Sequence, residues 1–238
     1  MQSLVDKKVD LVLSIANPAT QAVYKDKTTI PVVFVLSVDP VGAGFVESFQ
    51  KPGGNLTGVI LGVQEGPRLE WLLQVVPTIK KIYVVYNPDT PGPVASLKQV
   101  QAAVLNLGVK VVTAEVRTSE EVTAAIQEIP EDIGAIFMLP DTLVALQAAE
   151  FVALNLPMSV PNVTNMADPP QLTAYGVELG AAGKQAARMA DQILKGVKPA
   201  DLPVEMAEFY TGINLKAAEA IGLYIPDMVL RQANIIIR

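Results

Sequence analysis

The chain has 238 residues, half of them hydrophobic, which is enough for one large or two small domains around a sizeable core. The net charge is −6 and no run of Lys or Arg occurs, which argues against nucleic acid and anionic membrane surfaces as partners. There is no Cys and no His, so disulfides, thiolate nucleophiles, Cys/His zinc sites and His general bases are excluded.

No apolar segment reaches the roughly 18–20 residues of a membrane span. The start, Met1 to Lys8, lacks the charged-then-apolar pattern of a signal peptide. Val9 to Ile15 reads as a short strand, broken at Ala16-Asn17-Pro18. A helix is expected from Pro18 to Tyr24, because proline is tolerated in a first helical turn. Val32 to Leu36 is an apolar run between Pro31 and Asp39-Pro40, the signature of a buried parallel strand. A short helix is expected over Gly44 to Gln50, stopped by Lys51-Pro52-Gly53-Gly54-Asn55. Leu56 to Val59 is extended, so residues 9–58 read β-α-β-α-β.

The pattern then restarts. Helices are expected at Arg68–Val76, Val94–Leu107, Ser119–Glu128 and Thr142–Leu154, with Trp71 on the leucine-rich face of the first. Between them lie strands at Ile82–Tyr86, Val109–Glu115, Ile133–Met138 and Pro157–Val160. After a polar loop, Leu172–Val177 is extended and Glu178–Lys195 is the strongest helical pattern in the chain. Pro203–Met206 and Phe209–Ile213 read as short strands, and Asn214 caps a helix ending at Gly222. Such alternation implies parallel α/β sheets with helices on both faces.

Motifs for catalysis are weak. Gly42-Ala43-Gly44 lacks the third glycine of a dinucleotide loop, since Glu47 stands there. Ser48-Phe-Gln-Lys51 matches a Ser-x-x-Lys pattern without companion motifs. Glu120-Glu121 and Glu131-Asp132 are adjacent pairs whose side chains diverge, and they read as solvated surface. No metal-ligand spacing stands out, and no cofactor is indicated.

Ser37-x-Asp39-Pro40-Val41-Gly42-Ala43-Gly44, followed by Pro52-Gly53-Gly54-Asn55-x-Thr57-Gly58-Val59, resembles the ABC transporter substrate-binding protein family typified by tryptophan- and tyrosine-binding members. The second half agrees, through Leu172-Thr-Ala-Tyr175-Gly, Glu178-Leu-Gly180, Ile193-Leu-Lys-Gly196, Pro199-Ala-Asp-Leu-Pro203-Val-Glu205 and Ile213-Asn214-Leu-Lys216. The resemblance implies a two-lobed, type I periplasmic binding protein-like α/β fold. Residues 1–58 with 178–200 form one lobe, 62–171 with 207–222 the other, and 223–238 a tail. Hinges fall near 57–61, 173–177 and 203–206. The family's first lobe normally begins with two more β-α units, so the first lobe is expected to be N-terminally incomplete, with an open strand edge prone to self-association.

The resemblance further implies a non-enzymatic solute-binding protein of an ABC importer, located outside the cytoplasm and working with a permease. Its ligand would be a small molecule, an amino acid or similar carboxylate, possibly aromatic. A cytoplasmic ligand-sensing domain of the same fold is the alternative. The candidate contacts sit at strand ends. Asn17, Ala19 and Thr20 lie where the Pro18 helix starts, and backbone N–H groups there suit a ligand carboxylate. Ser37 and Asp39 end the next strand, and Asp39 either pairs with a ligand ammonium or caps its own Asp-Pro turn. Asn87, Asp141 and Thr142 end strands of the second lobe, where Asp141 equally suits a plain helix cap. Tyr175 either stacks on a flat ligand or packs in the core.

Overall fold

The computed structural model describes residues 8–238 apart from Val63 and Asn165. In chain order the elements are β1 (Val12–Ile15), α1 (Ala16–Lys25), β2 (Val32–Ser37), β3 (Leu56–Ile60), α2 (Glu65–Val75), β4 (Lys81–Tyr86), α3 (Pro91–Leu107), β5 (Lys110–Glu115), α4 (Ser119–Gln127) and β6 (Ala135–Phe137). Then come α5 (Thr142–Ala145), α6 (Ala148–Val152), β7 (Met158–Asn162), β8 (Thr173–Val177), α7 (Leu179–Leu194), β9 (Glu205–Met206), β10 (Phe209–Asn214), α8 (Leu215–Ala220), α9 (Asp227–Leu230) and β11 (Ile235–Ile237). The chain divides into two compact units, Met1–Gly62 with Glu178–Glu208, and Val63–Val177 with Phe209–Arg238.

The first unit holds a four-stranded sheet in the order β1-β2-β3-β9, parallel throughout. Alternation along the strands splits the core between two faces. On one, Val12, Val32, Phe34, Leu56 and Ile60 pack with Val23 of α1 and with Phe45 and Val46. The other face lies under α7, whose buried Ala182, Ala186, Met189, Ala190 and Ile193 repeat at helical spacing. Glu178 caps α7 by accepting the N–H groups of Gly180 at 2.9 Å and Ala181 at 2.6 Å. Gly58 is fixed by close approach, since a Cβ there would lie 2.0 Å from the Phe34 carbonyl oxygen. Among the described residues β1 is an edge strand, with Leu13 54% and Ile15 67% exposed.

The expected helix over Gly44–Gln50 is absent, and turns run from Pro40 to Gly44 instead. Phe45 and Val46 are both buried, and their N–H groups both reach back to the Pro40 carbonyl, at 2.8 and 3.3 Å, instead of following a helical ladder. Gly44 sits at φ +75, outside the helical region, and Glu47 N–H donates to the Pro52 carbonyl at 2.9 Å rather than back along a helix.

The second unit holds a seven-stranded sheet, order β11-β10-β8-β7-β6-β4-β5, parallel except where β10 runs antiparallel to β8. Ile82, Val84, Ala135, Phe137 and Ile213 face α2, α3 and α8, whereas Tyr83, Val85, Ile136, Met158, Val160 and Ala174 face α4, α5 and α6. Trp71 is buried as expected, and its indole N–H donates to the Gly212 carbonyl at 3.1 Å. Asn214 caps α8 through the N–H groups of Lys216 and Ala217.

Two sequence expectations change here. The single helix over 142–154 is two short ones, broken at Leu146–Gln147. Gln147 is drawn onto α4, donating to the Ser119 carbonyl at 2.8 Å and accepting from Thr123 at 3.2 Å. Residues 223–238 are no separate tail. Ile225 is buried in the core with Leu223 packed against it, and Ile235–Ile237 extends the sheet alongside Gly212–Asn214.

Candidate functional site

In parallel α/β sheets the carboxyl ends of the strands carry the polar groups that can meet a ligand. In the first unit this edge is built from the ends of β1 and β2. Helix α1 begins at Ala16, directly after β1 and two residues before Pro18. Pro18 is therefore the third helical residue; the Ile15–Val35 register directs the Ala16 N–H to the β2 backbone, which leaves the Asn17 N–H as the first-turn donor without a backbone partner among the described residues. Ala19 and Thr20, expected in that turn, lie in the second. Thr20 is fully buried; its hydroxyl donates to the Ala16 carbonyl at 3.0 Å and meets the Ser14 hydroxyl at 2.9 Å. It has no hydroxyl proton left for a ligand.

Asn17 braces this edge. Its Oδ1 accepts from the Ser37 hydroxyl at 2.6 Å and from the Val38 N–H at 2.9 Å, and its Nδ2 donates to the Val38 carbonyl at 2.8 Å. Ser37 is fully buried and committed to Asn17. Asp39 is exposed; its Oδ1 accepts the Gly42 N–H at 2.9 Å, as a turn cap does, and its Oδ2 has no hydrogen-bond partner among the described residues. The Asp39 carboxylate is thus half spent and half available.

Three non-glycine residues at this edge have positive φ, namely Ala16 at +62, Leu36 at +57 and Asp39 at +47. Aspartate tolerates this region, but for alanine and leucine it is strained. Strain held at one edge by surrounding hydrogen bonds is a mark of functional sites. The sequence carries no signal of it, because neither Ala16 nor Leu36 is a residue that favours a left-handed turn. Ser48, formally a Ser-x-x-Lys serine, exchanges hydrogen bonds with the backbone of Lys51 at 3.0 Å, so the motif is a turn.

In the second unit the edge follows β4, β6 and β7. Asp141 is buried, and both oxygens are occupied. Oδ2 accepts the Asn87 N–H at 2.7 Å, and Oδ1 accepts the N–H groups of Leu143 at 3.0 Å and Val144 at 3.4 Å. It caps α5 and ties the end of β4 to the loop after β6. Asn87 turns its own Oδ1 onto the Asp89 N–H at 2.9 Å, leaving its side-chain amide nitrogen without a partner among the described residues. Thr142 is exposed beside Asp141.

A cavity of about 440 Å³ opens at this edge, lined by Met138 to Thr142, by Val160 to Asn162, and by Asp168 and Gln171. It gathers Asp141 and Thr142, two of the expected residues, but not Asn87 or Tyr175. Tyr175 lies within β8, half-buried, its ring 5.7 Å from that of Phe209 and stacked at 28°. It faces a separate hollow of about 280 Å³ with Pro67, Trp71 and Gln232.

The structure adds a pair that the sequence reading missed. Arg68 and Glu65, one helical turn apart on α2, are both buried. Arg68 Nε donates to Glu65 Oε2 at 2.8 Å, Nη2 lies 2.5 Å from the same oxygen, and Nη1 donates to the Met138 carbonyl at 2.6 Å. The guanidinium covers the Phe137 ring at 3.8 Å. Burial pushes the guanidinium below its ordinary value, and Glu65 opposes that push. The pair therefore holds the loop whose next residues line the cavity. Its signal in the sequence was only Glu-x-x-Arg at one-turn spacing, which usually marks a solvated face. Among the described residues no cluster of carboxylates is arranged to hold a metal, and no helix is long and apolar enough to cross a membrane.

A family model described as ABC transporter substrate binding protein matches residues 1–237. A tyrosine-binding protein of Clostridioides difficile is 27% identical over 84% of this chain, which spans 59% of that relative's length. Two solved structures are similar in both sequence and fold. One is an ABC domain from Streptococcus pneumoniae in complex with L-Trp, 29% identical with a TM-score of 0.82, over 99% of this chain and 81% of that one. The other is a ligand-free, open substrate-binding protein with adhesive properties from Clostridium difficile, 25% identical with a TM-score of 0.81, over 99% of this chain and 80% of that one.

Proposed function

The chain belongs to the ABC transporter substrate-binding protein family, and we propose that it binds a small molecule, an amino acid and aromatic by preference, as the solute-binding part of an importer. The observation that carries the reading is the β1–β2 edge. There an exposed Asp39 carboxylate has one oxygen without a partner among the described residues, close to the Asn17 N–H in the first turn of α1. An ammonium meets the first and a carboxylate suits the second, the two charged groups of an amino acid. Asn17 and Ser37 hold this edge in place. In the second unit Asn87 and Thr142 offer side-chain groups, and Asp141 acts as a brace. The aromatic preference is supported by the tyrosine-binding relative and by the L-Trp complex of the pneumococcal structure.

The reading includes a permease partner and an extracytoplasmic location. The segments at 57–61, 173–177 and 203–206 precede the points where the chain passes between its units, and they are the proposed places for backbone rotation on binding. The β1 edge keeps a basis for self-association in its exposed Leu13 and Ile15. A monomer by light scattering at high concentration overturns that part alone.

Thermal-shift and calorimetric screening against the twenty amino acids tests the central reading. Tryptophan, tyrosine or both should stabilise the protein saturably, by about 4 kcal/mol at 1,000-fold excess over the dissociation constant. Asp39→Ala should lower affinity at least about tenfold, and a silent panel or an unaffected Asp39→Ala sinks the assignment.

A further inference from the structure

The chain enters the second unit just before the first turn of α2, and it is fastened there through both backbone and side chain. Leu61 still belongs to the first unit, where its N–H donates to the Ser37 carbonyl at 2.8 Å. Residues 62–64 follow, and the helical ladder of α2 opens at Arg68, whose N–H donates to the Gln64 carbonyl at 3.1 Å. The side chain of the same Arg68 is buried and held on three sides. Nε donates to Glu65 Oε2 at 2.8 Å, Nη1 donates to the Met138 carbonyl at 2.6 Å, and the guanidinium lies 3.8 Å from the centre of the Phe137 ring. A planar fork confined in this way has one orientation, and it gives the Met138 carbonyl one place. Met138 stands one residue beyond β6, and its own N–H donates to the Ser159 carbonyl at 3.0 Å. Three residues further on, Asp141 accepts the N–H groups of Asn87 at 2.7 Å and Leu143 at 3.0 Å.

Stability does not account for the buried pair. Two ions this deep lose their hydration, and apolar side chains of the same volume serve folding equally well or better. What apolar side chains lack is a directed donor for the Met138 carbonyl. We infer that Arg68, oriented by Glu65, is a positioning residue for ligand binding, which sets the loop from Leu139 to Thr142 and with it the Asp141 brace between β4 and β6. Arg68 acts through the backbone and touches no ligand in this role. Groups at a binding edge keep their geometry only where the residues behind them are locked by packing and hydrogen bonds, and the clamped guanidinium is such a lock. It sits where the chain enters the unit, so the loop is set from the same turn that receives the connection from Leu61. The inference deepens the proposed amino-acid binding and rests on that reading for the ligand, but the placing of the loop is measurable without one.

Arg68→Met with Glu65→Leu leaves no charge stranded, so it separates support of the fold from placing of the loop. The readouts on the ligand-free protein are urea unfolding and amide hydrogen exchange. The urea midpoint is expected to stay near that of the unsubstituted protein, while the Asn87 and Leu143 amides exchange at least about tenfold faster. Val84 and Ile213, on buried strands of the same unit, should keep their rates. Unchanged exchange at Asn87 and Leu143 overturns the inference. Equal acceleration at Val84 and Ile213 also overturns it, since the pair is then a support of the fold alone. Should the double variant fail to fold, Arg68→Lys decides. Its ammonium keeps a charge beside Glu65 but lacks the fork that holds carboxylate and carbonyl together, so the same two amides should accelerate, and their constancy overturns the inference. Calorimetry with L-Trp is the second arm, with affinity in the double variant expected to fall at least about tenfold. Unchanged affinity in a variant whose two amides have accelerated overturns the role in binding. L-Trp that does not bind the unsubstituted protein faults the amino-acid reading, and the exchange rates still decide whether Arg68 places the loop.

Discussion

The carboxylate of Asp141 accepts the backbone N–H of Asn87 at 2.7 Å, joining residues 54 apart in the chain at the ends of β4 and β6. The same side chain caps α5 through Leu143 and Val144. One buried carboxylate therefore fixes two strand ends and a helix start. That explains why Asp141 lines a cavity yet has no lone oxygen to give.

Asp141→Ala should destabilise the protein by about 2 kcal/mol, because three donors lose an acceptor at once. Asp141→Asn keeps one good acceptor and should cost about half as much. Urea unfolding measures both. Unchanged stability in Asp141→Ala would contradict the bracing role, leaving ligand contact as the better account of this residue.

The buried pair on α2 makes a different kind of prediction. Removing one partner strands a charge in a site that is 1% exposed at Arg68. Arg68→Met should cost about 3–5 kcal/mol, and Glu65→Leu a similar amount. Replacing both together, Arg68→Met with Glu65→Leu, should cost far less than the two singles summed, since no charge is then left alone. Additive losses in the double-mutant cycle would mean that the two side chains do not act as a unit.

These residues mark where sequence reading succeeds and where it stops. Val32–Leu36 and Ile82–Tyr86 are apolar runs bounded by turn residues, and both are strands, because burial on both faces leaves that imprint. Glu178–Lys195 is legible because Ala182, Ala186, Met189 and Ile193 repeat at helical period. The start of α1 is not, since the proline pattern suits the first and the third helical residue alike, and Ala16 gives no sign of its positive φ. Glu65 and Arg68 look like solvent-facing charges until the fold supplies Phe137 and the Met138 carbonyl beneath them. Gln171 stands in a polar loop, and only the folded chain shows that its side chain is buried and unpaired. Local pattern reports what a segment buries, whereas a polar site depends on which distant backbone atoms it meets.

Ala16 offers a test of strain. It is exposed, with φ at +62, where a Cβ costs about 1 kcal/mol and glycine is at ease. Ala16→Gly should therefore stabilise the protein by about 0.5–1 kcal/mol in urea unfolding. If the strain serves to aim the first N–H groups of α1, affinity for the amino-acid ligand should fall in the same variant. A destabilised Ala16→Gly would show that the left-handed conformation is not strained there.

High pH supplies the last test, through two tyrosines on β4. Tyr83 is buried, its hydroxyl donating to the Ala125 carbonyl at 3.0 Å; burial raises its pKa, and the negative charge of Glu128 adds to this. Tyr86 donates to Glu115 at 3.1 Å; it is raised by burial first and then by that carboxylate, with Arg117 pulling the other way. A phenol held above its ordinary value of about 10 binds its proton more tightly folded than unfolded. Its contribution to stability is whole below that pH and is lost as pH rises through the folded value, at up to about 1.4 kcal/mol per pH unit for each group. Urea midpoints should thus hold steady up to about pH 10 and decline above it. In Tyr83→Phe with Tyr86→Phe the decline should be shallower, although the lost hydrogen bonds lower stability at every pH. Phenolate absorbance gives the independent check: the part of the signal that Tyr83→Phe with Tyr86→Phe removes should ionise above the ordinary value in the folded protein and return to it on unfolding. Tyr83 and Tyr86 phenolates forming at the ordinary value, or an alkaline decline as steep in the double variant, would show that the environment of β4 does not hold these protons.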